Sequence, residues 1–75
     1  MTFDEFLRAV NAVYMDDVAE NPERRYGESL FTYLRKVNPG LAGAIDGTTL
    51  DPTHKGFCPD TVAFLWENWT EDVKQ

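Results

Sequence analysis

Apolar residues recur along this chain with helical period, and no segment alternates with the two-residue period of a half-buried strand. Phe3, Phe6, Leu7, Val10, Val13, Tyr14 and Val18 trace one face of a first helix, expected from about Phe3 to Ala19. Thr2 followed by Glu5 is a capping box, in which each side chain satisfies the other's orphan backbone N–H. Asn21-Pro22 reads as a cap with proline at the first helical position and predicts a second helix reaching Val37. Its inner face is Tyr26, Leu30, Tyr33, Leu34 and Val37. Gly27 weakens its first turns by up to ~1 kcal/mol relative to alanine, so a start nearer Arg25 is the alternative. Asn38-Pro39 repeats the cap signal before a short third helix ending at Ile45 or Asp46. Leu41 and Ile45 point inward there, the small residues Gly40, Ala42, Gly43 and Ala44 suit tight packing, and Gly47 is a left-handed C-terminal cap. The last helix is expected from Pro59 to about Val73, with Val62, Leu65, Trp66, Trp69 and Val73 on its inner stripe.

The pattern predicts an all-α domain spanning 1–75: three main helices, one short helix and a long loop before the last. Phe6, Val10, Leu30, Leu34, Ile45, Leu65 and Trp66 are its expected core. Leu50 and Phe57 would anchor the loop at 47–59. Asp17 projects close to the apolar stripe of the first helix, where an unpaired carboxylate is costly. It must reach solvent or a donor, and Arg24 and Arg25 are the nearest donors.

One cysteine, Cys58, excludes an internal disulfide, and with one histidine, His54, it falls short of a structural zinc site. No cofactor is expected. A calcium loop from Asp46 fails, because Thr48, Leu50, Asp51 and Phe57 occupy the positions that need acids or glycine. A Cys58/His54 nucleophile lacks an orienting group and an oxyanion donor, so the reading is not an enzyme. A net charge of −6, from thirteen acids and seven bases, argues against direct nucleic-acid binding and against an anionic membrane. No apolar run approaches the ~20 residues of a membrane span, and the acidic start lacks the basic region of a signal peptide. A cytoplasmic protein is expected.

Phe64 is the misfit of the last helix. At about 100° per residue it projects almost opposite the stripe, among Asp60, Glu67, Asn68 and Glu71. That layout resembles an interface anchor with a polar rim. The competing reading packs Phe64 beneath the 47–59 loop. The favoured function is a small acidic binding protein that docks on another protein. A different class is a small-ligand or nucleotide-sequestering protein using Arg24, Arg25, Thr48, Thr49, Asp51 and His54, which a thermal-shift screen with nucleotides would reveal. A third is an acidic nucleic-acid mimic, disfavoured because its acids are interleaved with bases.

Asn21-Pro22, Arg25, Gly27, Phe31, Leu34, Pro39, Leu41-Ala42, Ile45, Gly47-Thr48 and Asp51-Pro52 together resemble a pattern in short uncharacterised proteins of bacteria and their phages. There the pattern closes with a tryptophan-containing helix, as Trp66 and Trp69 do here. The chain departs from it after Pro52, where Thr53-His54 replaces an aromatic. The resemblance covers about two-thirds of the chain. It implies an accessory protein, such as a phage-type modulator or inhibitor of a host factor, and implies no activity.

Overall fold

The computed structural model describes residues 1–53, 56 and 58–69. It is all-helical, with α1 (Phe3–Glu20), α2 (Tyr26–Val37), α3 (Pro39–Ile45) and α4 (Pro59–Asn68), and no strand among the described residues. The capping box forms as expected: Glu5 N–H donates to Thr2 Oγ1 at 3.1 Å, and Thr2 N–H donates to Glu5 Oε1 at 2.7 Å. The Thr2 backbone N–H, and after it the Thr2 side chain, hold the Glu5 carboxyl below its ordinary pKa.

After α1 the Asn21 side chain caps a turn instead of a helix, accepting from Glu23 N–H at 3.1 Å while its carbonyl accepts from Arg24 N–H. The second helix therefore takes the later of its two expected starts. Glu28 secures it by accepting from Arg25 N–H at 3.0 Å. Asn38 caps α3, and Gly47 beyond its end has a φ of 74°, the left-handed conformation that glycine adopts freely.

The helix α2 packs against both α1 and α3. Phe6, Val10, Leu30, Leu34, Ile45 and Leu65 are completely buried, six of the seven expected core residues. The small residues of α3 behave differently from expectation. Of the four, only Ala42 is buried; Gly40, Gly43 and Ala44 face outward, and a Cβ on Gly43 would meet nothing within 4 Å. Gly43→Ala is therefore expected to raise stability by about 0.5–1 kcal/mol, read as a higher urea midpoint, because it lowers the entropy lost on folding without creating a clash.

The seventh core residue is a correction. Trp66 is 67% exposed. The expected stripe needed Trp69 and Val73 to continue the helix, but α4 ends at Asn68 and Trp69 leaves it with extended backbone. Its buried face is instead Thr61 and Leu65, one turn apart, flanked by half-buried Val62 and Phe64. Relative to the expected stripe the helix is turned by about 75°, which carries Trp66 out to solvent and Phe64 inward. Thr61 tolerates complete burial because its hydroxyl donates to the Leu50 carbonyl at 2.5 Å, which also ties the loop to α4. Val73 and Phe57 lie outside the described residues.

Candidate docking surface

Three aromatic rings gather where the start of α1 meets the end of α4. Phe3 is fixed by the capping box and almost fully buried. Its ring centroid lies 5.6 Å from that of Trp66, at an interplanar angle of 63°, and 5.5 Å from that of Trp69, at 64°. Trp69 turns inward after α4 and tilts against Phe6 at 4.9 Å, and its indole N–H donates to the Met1 carbonyl at 3.0 Å. Trp66 is two-thirds exposed. Thr2, Phe3, Asp4, Trp66 and Trp69 line a cleft of about 340 Å³. Asp4 at its edge pairs with Arg8 at 2.8 Å, and both side chains are well exposed. The outward face of α4 carries Asp60, Ala63, Trp66 and Glu67, and the helix contains no lysine or arginine.

The residues expected to form a partner surface are only partly arranged that way. Asp60, Glu67 and Asn68 are exposed on α4. Phe64 is not the free anchor of the favoured reading: it is half-buried and packs against the core. Asn68 donates its amide to the Phe64 carbonyl at 2.8 Å, and Glu71 lies outside the described residues. The exposed aromatic of α4 is Trp66, which periodicity assigned to the interior. One signal did point this way. Phe64, Leu65 and Trp66 are three large apolar groups in succession, which one face of a helix cannot bury together.

The ligand-loop residues fall into two separate hydrogen-bond networks. Arg24 serves the expected ion pair, its Nε lying 3.3 Å from Asp17 Oδ2. Buried Ser29 donates to the same carboxylate oxygen at 2.7 Å and accepts from Arg24 Nε at 3.2 Å. A second contact runs from Arg24 to Glu28 at 3.7 Å. The loop bonds to itself: Thr48 Oγ1 donates to the Ile45 carbonyl at 2.7 Å and accepts from Leu50 N–H at 3.1 Å. Asp51 accepts from Thr53 Oγ1 at 2.6 Å, Gly47 N–H at 2.9 Å and Thr53 N–H at 3.0 Å. Arg25 and Thr49 are exposed, and His54 lies outside the described residues. Cys58 is buried at the start of α4, and burial, followed by the proximity of Cys58, raises the pKa of Tyr26. No group of three metal-binding side chains occurs among the described residues, and none of their helices is long and apolar enough to cross a membrane.

The hydrogen bonds to Asp51, that from the Thr53 hydroxyl foremost, lower its pKa to about 2 from the model-peptide 3.8. A folded-state pKa below the unfolded value means that Asp51 stabilises the fold fully above about pH 4 and loses that contribution as the pH falls toward 2. The contribution is small because the carboxyl is open to solvent. Asp51→Asn is expected to flatten the fall in melting temperature over that window, and an unchanged acid profile would show that this turn is not titrating.

No family model, no curated protein and no solved structure matches this chain.

Proposed function

We propose that this is a non-enzymatic binding protein that docks on another protein through the cleft of Phe3, Trp66 and Trp69. One observation carries the reading: Trp66, two-thirds exposed, lines a cleft next to the core, whereas the other large apolar groups among the described residues, Met1 and Met15 aside, are buried or half-buried. Exposing an indole forgoes a burial contribution of about 2–3 kcal/mol, and tryptophan is among the residues that dominate binding energy when a partner desolvates them. Exposed acids around α4 give the polar rim that such anchors have. Catalysis has no comparable support, since the polar clusters at Asp17 and Asp51 are closed on themselves. Within this class, a phage-borne modulator or inhibitor of a host protein, acting in the cytoplasm, is the case the sequence resemblance suggests.

Affinity capture from the producing cells with three baits tests the reading. Wild type and Met15→Ala should retain the same partner, and Trp66→Ala should lose it. Met15 is the control because it is equally exposed, at 66%, but sits about 16 Å along α1 from Asp4. Equal recovery of that partner on Trp66→Ala would overturn the assignment.

A further inference from the structure

We propose that the cleft receives a lysine or arginine side chain from a basic segment of the protein partner. The inference rests on the docking reading and adds the chemistry of the occupant. The Trp66 and Trp69 rings each meet Phe3 edge-on, at 63° and 64°, so the three rings are not one flat stack. The faces of aromatic rings carry negative potential, and indole attracts a cation most strongly. A carboxylate, Asp4, completes the lining of the same cleft. An aromatic lining that also includes an acid matches a side chain that has an aliphatic stem and a cationic head.

The surroundings have the same sign. Asp60 and Glu67 are exposed on α4, which has no basic residue, and Glu5 follows Asp4 on α1. Among the side chains of α1 and α4 the one base is Arg8, held by Asp4 in an exposed pair that an incoming cation can exchange. The fold uses the same chemistry elsewhere, where the Arg35 guanidinium lies 4.6 Å from the centre of the Phe31 ring. With Trp66 two-thirds exposed the cleft is open along one wall. It therefore suits a side chain presented by a polypeptide better than an enclosed free amine. An anionic partner would meet Asp4, Glu5, Asp60 and Glu67.

The test is a fluorescence-anisotropy titration of the whole protein with a labelled peptide rich in lysine and arginine, beside the same peptide with glutamine at the basic positions. Wild type should bind the basic peptide about tenfold more tightly than the glutamine peptide. Trp66→Ala should weaken the basic peptide about tenfold and Asp4→Asn about threefold, with melting temperatures close to wild type. Trp66→Ala leaves the net charge unchanged, so its loss separates ring recognition from general attraction between an acidic protein and a basic peptide. Equal binding of the basic peptide by wild type and Trp66→Ala would overturn the inference. Equal binding of both peptides, abolished by Trp66→Ala, would overturn the cationic occupant while leaving docking intact. A concentration-dependent dimer in sedimentation, dissolved by Trp66→Ala, would also overturn it by identifying a second copy as the occupant. Loss of the captured partner on Trp66→Ala, with no peptide binding at all, would likewise remove the cation and leave docking standing.

Discussion

Phe6→Ala is expected to remove about 3–5 kcal/mol of stability and lower the melting temperature by about 15–30 °C. Phe6 is completely buried, with ring centroids 6.1 Å from Phe3, 5.8 Å from Tyr33 and 4.9 Å from Trp69. It is thus the point at which α1, α2 and the segment after α4 meet. Truncation removes the transfer contribution of the ring and leaves a cavity bounded by three other rings, which cannot all collapse into it. Domains of this size have only about 4–11 kcal/mol in total, so the variant should lose a large share of its stability. Urea denaturation followed by circular dichroism checks this; a loss below about 1 kcal/mol would mean that Phe6 does not join those elements.

The two tryptophans should separate sharply. Trp69→Ala is expected to cost about 2–4 kcal/mol, because its ring packs on Phe3 and Phe6 and its indole N–H ties the end of α4 to the Met1 carbonyl. Trp66→Ala should cost less than about 1 kcal/mol, since the side chain is two-thirds exposed and its ring meets Phe3 edge-on. Thermal melts of the two variants side by side give the ordering, and a larger loss for Trp66→Ala would contradict it.

The features legible in the sequence are those decided within a few residues. The Thr2–Glu5 box, the Asn38-Pro39 start of α3, the left-handed Gly47 and the Asp17–Arg24 pair all follow from local hydrogen-bonding needs. So does most of the core, because α1 and α2 are long enough for periodicity to define one face. The rotation of α4 was not legible. It depends on where the helix stops and on the bond from Thr61 to the Leu50 carbonyl, a contact across eleven residues that lets a polar side chain occupy the interior. With Thr61 inside, Trp66 had to face outward, and the candidate site moved from Phe64 to the cleft beside Phe3. Asn21-Pro22 was ambiguous for a related reason. The same side chain can cap a turn or a helix, and Arg24, drawn to Asp17 and Ser29, favours the turn.

Trp69 is turned inward onto Phe3 and Phe6, and Trp66 is turned outward as the exposed ring of the proposed docking cleft. Fluorescence of the single-tryptophan variants Trp66→Phe and Trp69→Phe, titrated with acrylamide, tests it most directly. The account predicts blue-shifted, weakly quenched emission from Trp69 in the first variant and water-like, strongly quenched emission from Trp66 in the second. Shielded emission from Trp66 in the folded protein would contradict it.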